Sequence, residues 1–437
     1  MKRKQKYYNY KTRNSMKNYI IGFAVFMASV IGLIVLSFYL RSRPYVTVGD
    51  YYLTESEYNY YYQLSIDSMQ SSYGDLVEYL DVDFTQDLKK QYMEDGTSWH
   101  DYFVAQTDIY TYDVLTAMQL AQNDNQLDVD IASDYTTVMD TINSYAVQSG
   151  MDTNTYLRTY YDSNFSLASF EKCVKYDLIA NKYLEEYAEK TITDEHYDKH
   201  YEENYKNYDI VKYYYVTFMN EDQEKNKTDA NALMETIKSV EDIKNVENVT
   251  EEQALGTSSC DSLYAEWLFN KDETANMKVF EASDNKSVTL VYKESQEKVN
   301  EITKTIHYLN VSKTEEMTDE EFAEKQETIR ALVEDSDKSL DALTYIAEAN
   351  GDNNMLFKEE NAIKDYLPDE IAEWLYKEDT KENDIATFTI DDIFYVVLYE
   401  KDGEDQYKAM SEYSILQEIR NDKITTAQET YTFEKRK

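Results

Sequence analysis

The sequence predicts an α+β protein: an N-terminal transmembrane helix, then a helical lobe, then two small tandem α+β domains. Three observations carry this prediction. Residues 19–40, "YIIGFAVFMASVIGLIVLSFYL", contain no charge. Only 2 Pro and 9 Gly occur in 437 residues, which favours long helices over a loop-rich sandwich. A stretch at Tyr264, "YAEWLFNKDETANMKVFEASDNKSVTLVYKES", returns at Ile371 as "IAEWLYKEDTKENDIATFTIDDIFYVVLYEKD".

Residues 1–43 hold nine Lys/Arg and no acid, which leaves 35 basic against 85 acidic residues beyond them. Seven of the nine precede the apolar run and two follow it. A run of that length spans a hydrocarbon core of roughly 30 Å. The charge bias then predicts a cytoplasmic basic tail over 1–18, a single-pass transmembrane helix over 19–40, and an extracytoplasmic body at the cell membrane. The lipid bilayer is the partner expected for 19–40. A cleaved signal peptide is the competing reading; the run is longer than a signal-peptide core, and "SFYLRSRPYV" lacks a small-x-small site.

A formal charge of −41 argues against nucleic acid as a partner, because phosphates are bound by Lys and Arg. Cys173 and Cys260 are the only cysteines, too few for a structural zinc site. His196 and His200 have the i,i+4 spacing of a metal pair but no HExxH pattern, so a solvated helix face is the plainer reading. No metal and no cofactor are expected.

After the apolar run, "VTVGDYYLTESEYNYYY" offers a short strand, a turn at Gly49-Asp50, and a capping box at Thr54 and Glu57. Helical periodicity continues to about residue 207; in "FSLASFEKCVKYDLIANKYLEEYAEK" the residues Phe170, Cys173, Tyr176, Ala180, Tyr183 and Tyr187 recur at three- and four-residue steps. At Asp209 the period changes. "DIVKYYYVTF" reads as a strand, helical text runs on to "TEEQALG", and then "YAEWLF" reads as a short helix before the strands "NMKVFEA" and "VTLVYKE". The order repeats as strand "ITKTIHYLNV", a helix capped by Thr318 and Glu321, a second helix, "LPDEIAEWLY", "IATFTI" and "FYVVLYE". From Tyr264 and Ile371 onward the copies align without a gap at an offset of 107, which matches Trp267 with Trp374, Asp284 with Asp391 and Tyr292 with Tyr399. The domains expected are 45–207 (completed by the C-terminal helical segment 408–437), 208–297 and 300–405.

This order of elements resembles the extracytoplasmic foldases and chaperones of the SurA and PrsA type, which join a helical chaperone lobe to parvulin-like prolyl isomerase domains. Val48, Gly49, Leu53, Thr54 and Glu57 stand where that family has its V-N-G-x-x-I-T-x-x-E-F opening. The resemblance makes 45–207 a SurA-N-like chaperone domain and the two repeats degenerate parvulin-like domains. It puts His307 on the histidine of the family's A-x-H-I-L-V strand, with Tyr215 there in the first copy. At the second histidine stand Tyr395 and Val288, and "ALGTSSCDS" and "NGDNNMLFKE" are remnants of the G-G-D-L-G-W loop. His307 is therefore the candidate catalytic residue, beside the plain alternative of a core histidine on a face shared with Leu309 and Val311. Trp267 and Trp374 read as core anchors.

Prolyl isomerisation needs no covalent step, only tighter binding of the twisted amide through an apolar pocket and a polar network. With most of that network replaced, the function expected is a membrane-anchored extracytoplasmic folding factor that binds unfolded or nascent secreted polypeptides. Two alternatives stay open: weak isomerase activity through the second repeat, and an envelope assembly protein with one dedicated partner. The 44 tyrosines suit loose contact with client chains, or simply cover helix faces.

Overall fold

The structure is a computed structural model that describes residues 27, 29–31, 42–74, 80, 82–220, 222–283, 287–350 and 356–436. Among the described residues no helix is long and apolar enough to cross a membrane. The expected transmembrane helix is corrected accordingly. Only residues 27 and 29–31 of the span 19–40 are described, and the tail 1–18 lies outside the described residues. The expectations derived from that helix are corrected with it: the lipid bilayer as a partner, the single-pass topology at the cell membrane with an extracytoplasmic body, and a membrane-anchored function. What stands of the fold class is α+β.

The chain forms two compact units, Met1–Ile192 with Leu416–Lys437, and Thr193–Ile415. The first opens with β1 (Val46–Val48) and β2 (Tyr51–Leu53), which pair antiparallel around Gly49. Gly49 has φ +56°, and a Cβ there would stand 2.2 Å from Gln119 Oε1, the atom that accepts the Asp50 N–H at 2.7 Å. Only glycine fits that turn. Helix α1 (Glu55–Tyr73) follows directly. Its capping box is formed: Thr54 N–H donates to Glu57 Oε2 at 2.8 Å, and Glu57 N–H donates to Thr54 Oγ1 at 3.4 Å.

Helices α2 (Trp99–Asn123), α3 (Ala132–Gln148), α4 (Thr153–Tyr160) and α5 (Leu167–Thr191) complete the helical part. Ser98, Asp152 and Ser166 cap α2, α4 and α5, each accepting a backbone N–H three residues on. Their apolar stripes bury Val46, Leu53, Tyr61, Leu115, Leu157 and Phe170 in one core.

The second unit starts with α6 (Asp194–Asn204) and carries two four-stranded antiparallel sheets. The first is built from β3 (Asp209–Met219), β4 (Thr250–Leu255), β5 (Met277–Glu281) and β6 (Ser287–Lys298), in the order β4-β3-β6-β5. Between its strands lie α7 (Gln223–Thr236), α8 (Val240–Lys244) and α9 (Ala265–Leu268). Tyr214, Val216, Leu290 and Tyr292 face the α7 and α8 side, while Tyr213, Tyr215, Val291 and Phe280 face α9.

The second sheet has strands β7 (Ile302–Ser312), β8 (Phe357–Ala362), β9 (Ile385–Ile390) and β10 (Ile393–Asp405), in the order β8-β7-β10-β9. Helices α10 (Asp319–Asp335) and α11 (Leu340–Asn350) cover Leu309, Val311, Phe394, Val396 and Leu398. Helix α12 (Asp369–Leu375) covers Ile306, Val397 and Tyr399. Last come α13 (Gln406–Gln428), whose residues from 416 onward belong to the first unit, and β11 (Glu434–Lys435), which pairs antiparallel with β1.

The two sheets repeat each other, but not at one offset. Trp267 meets Phe280 edge-on at 5.5 Å and Trp374 meets Phe388 edge-on at 5.8 Å, so the short helices match at an offset of 107 and the next strands at 108. The β9–β10 turn is two residues shorter than the β5–β6 turn, which moves β10 to an offset of 106 from β6. A bulge confirms this. Glu294 is the unpaired extra residue between Lys293 and Ser295, and Glu400 is its counterpart between Tyr399 and Lys401. A slip of one residue turns every side chain to the other face. Hence Tyr292 faces α7 and α8 whereas Tyr399 faces α12, and the gapless match of the two is corrected. Asp284, matched with Asp391, lies outside the described residues.

Candidate functional site

His307 sits in the middle of β7, opposite Leu398 of β10 and Lys358 of β8. Alternation puts it on the face of Leu309 and Val311, toward α10 and α11. The residue is 8% exposed. Its Nε2 lies 2.7 Å from Glu400 Oε2, the bulged glutamate. The first sheet repeats this arrangement, and the match of Tyr215 with His307 is corrected by one residue: Tyr214 stands at the position of His307, and its hydroxyl donates to Glu294 Oε2 at 2.9 Å. A ring whose polar tip meets the bulged glutamate is thus common to both sheets.

The other face of the second sheet carries a cavity of about 190 Å³ near α12, lined by Ile306, Tyr308, Leu367, Pro368, Tyr395 and Val397 among others. Asn310 Oδ1 is buried there with no hydrogen-bond partner among the described residues. His307 does not line this cavity, whereas Tyr395 does. The two positions matched to the family's histidines therefore lie on opposite faces. The same split holds in the first sheet, where Tyr215 faces α9 and Val288 alternates with Leu290 toward α7 and α8.

The remaining polar candidates are engaged elsewhere. Cys173 and Cys260 are free thiols; burial raises both, Cys260 to about 11, which is the opposite of an activated nucleophile. His196 Nδ1 closes the start of α6 on Thr193, and His200 Nε2 bonds the Tyr208 hydroxyl at 2.9 Å, so the pair does not converge.

A larger site lies in the helical unit. A groove of about 660 Å³ runs between α1 and α2, walled by Leu64, Met69, Tyr73, Tyr102, Phe103 and Tyr110. Its width comes from small residues: Ser65, Ser68 and Ser72 recur along one face of α1 at helical spacing and line it. That serine stripe beside tyrosines was the sequence signal for the groove, and the periodicity of apolar residues alone passes over it. Tyr61 and Tyr110, both in the wall, donate to Asp177 Oδ1 of α5 at 3.0 and 3.5 Å. Burial pushes the Asp177 carboxyl up to about 7, against the lowering effect of those two hydrogen bonds. The same burial and the Asp177 charge keep the Tyr61 and Tyr110 hydroxyls protonated as donors. The groove therefore offers aromatic faces, a flexible Met and hydroxyl tips, and none of its lining residues is cationic.

No family model matches the chain, and no curated protein matches it. Among solved structures, the foldase protein PrsA of Streptococcus pneumoniae str. Canada MDR_19A is 12% identical over 79% of this chain and 90% of its own, with a TM-score of 0.26. The foldase protein PrsA from Lactococcus lactis is 8% identical over 91% and 96%, with a TM-score of 0.27. A structure from work on PEB4 and Cj1289, described as SurA-like chaperones of Campylobacter jejuni, is 16% identical over 59% and 82%, with a TM-score of 0.15. Overlays at these scores leave function to be argued from the chain's own geometry.

Proposed function

We propose that this chain is a reversible binder of unfolded polypeptides that holds apolar and aromatic client residues in the groove between α1 and α2. The groove itself carries the reading: about 660 Å³ of tyrosine-, phenylalanine- and methionine-lined space, wider than one side chain needs. Tyrosine gives apolar area with a polar tip, which suits clients of varied sequence, and methionine adapts to their shape. A formal charge of −41 selects for clients rich in Lys and Arg. The two sheets are read as degenerate parvulin-like repeats; their shared bulge and ring–glutamate pair support a common origin. In this reading His307 is structural, because Glu400 holds it as Glu294 holds Tyr214.

The test is suppression of aggregation of an unfolded basic client by the full chain at equal molar amounts. Ser68 is exposed on α1 and lines the groove, so Ser68→Trp fills it without removing a core contact. Loss of protection in Ser68→Trp is expected; undiminished protection overturns the reading. One observation favours the second reading, a prolyl isomerase: the α12 cavity with its unpaired Asn310 acceptor. A protease-coupled proline-peptide assay above background, reduced in Asn310→Ala, would support it.

A further inference from the structure

The two sheets end on four edge strands, and three of them are charged along their length. Strand β4 carries Glu251 and Glu252, β8 carries Lys358, Glu359 and Glu360, and β5 carries Lys278 and Glu281. Strand β9 reads Ile-Ala-Thr-Phe-Thr-Ile, with no charge and no proline. An edge strand presents unpaired N–H and C=O groups, and charged side chains are the usual defence against another chain pairing there. At the positions of Lys278 and Glu281 the duplicated strand has Ala386 and Thr389. The second copy thus lacks the guard that the first retains. All six residues of β9 pair with β10 on one side, and among the described residues no strand covers the other. Both ends of this bare edge carry an excess of acid: Glu382 and Asp384, with Lys381 beside them, precede it, and Asp391 and Asp392, with Lys313 near Asp392, form its turn.

We propose that β9 is a docking edge that takes up an extended polypeptide segment as a fifth strand, the segment being about six uncharged residues flanked by Lys or Arg. Backbone hydrogen bonds to the outward groups of β9 supply affinity, and the acids at its two ends select basic flanks. A second copy of this chain is the poorer occupant. Antiparallel self-pairing of β9 with Ile385 opposite Ile390 puts Asp384 opposite Asp391, at both ends, and like charges directly opposite destabilise. Two chains of charge −41 repel as well. The proposal is independent of the α1–α2 groove, which lies in the other unit.

The probe is a fluorescent peptide of about ten residues, alternating Val and Thr with two lysines at each end, followed by anisotropy on the full chain. Ala386→Lys/Thr389→Glu installs the first copy's own residues, a pattern that this sheet geometry already tolerates. It is expected to weaken binding about tenfold or more, as is N-methylation of alternate peptide amides, which removes backbone donors. Asp391→Asn/Asp392→Asn leaves the edge intact and is expected to lower both affinity and its dependence on salt. Each comparison is made in the Ser68→Trp background, where the groove is filled, so that binding at this edge is read apart from binding in the groove. Equal binding by the edge variant, by the methylated peptide or by a peptide with glutamate flanks overturns the proposal. A dimer of the unmodified chain that the edge variant abolishes would overturn the choice of occupant.

Discussion

Replacing Asp177 by Asn should stabilise the helical unit in a manner that depends on pH. Asp177 is half-buried beneath the groove, and burial lifts its carboxyl from an ordinary 3.8 to about 7. The folded chain therefore holds this proton where the unfolded chain has lost it. Stability is greatest with respect to this group below about pH 4, declines as pH rises from 4 to 7, and carries the full cost above 7. A rise of about three pH units corresponds to at most ~4 kcal/mol, and partial solvent access reduces that to roughly 2 kcal/mol. Asn in place of Asp still accepts from Tyr61 and Tyr110 through Oδ1 and has no charge to bury. Asp177→Asn should thus be more stable than the parent by about 2 kcal/mol at pH 8, with the gap closing toward pH 4. Hydrogen exchange of α1, α2 and α5 amides at pH 5 to 8, corrected for intrinsic rates, measures it. A gap that does not change with pH, or an Asn variant less stable at pH 8, would refute the reasoning.

Three further outcomes are expected. His307→Ala leaves the bulged Glu400 with only the longer Lys358 contact at 3.9 Å and should cost about 1–3 kcal/mol in urea unfolding, whereas His307→Tyr rebuilds the Tyr214–Glu294 arrangement and should cost less; proline-peptide turnover should be equal in all three chains. Gly49→Ala meets both a positive φ and Gln119, so a loss of about 1–3 kcal/mol is expected, read as a lower thermal midpoint of the helical unit. Trp267→Ala empties a core position that is 6% exposed and should cost about 3–5 kcal/mol, seen as early unfolding of the first sheet.

What was legible in the sequence was local. The capping boxes at Thr54 and Thr318 are formed, because their side chains and backbone lie within one turn. The repeated short helices are present, with each tryptophan against a phenylalanine of the following strand. Strands β4 and β8 were not legible: "TEEQAL" reads as helical text and "NGDNNMLFKE", which runs into β8, as a loop remnant, because edge strands guarded by charge have little apolar alternation. The face of His307 was not legible in full either. Its neighbours Leu309 and Val311 share its face as alternation requires, but the pairing with Tyr395 ignored which face each takes. Of the apolar run 19–40 only residues 27 and 29–31 are described, and among the described residues no helix is long and apolar enough to cross a membrane.

The most direct test of the central claim is photo-crosslinking from the groove. Gln106 is exposed on α2 and lines it, so a photoreactive residue there reports on what occupies the space. With the full chain and an unfolded lysine-rich client, crosslinks from position 106 are predicted, and Ser68→Trp should remove them together with protection against aggregation. Protection that persists while no client attaches at position 106 would contradict the account.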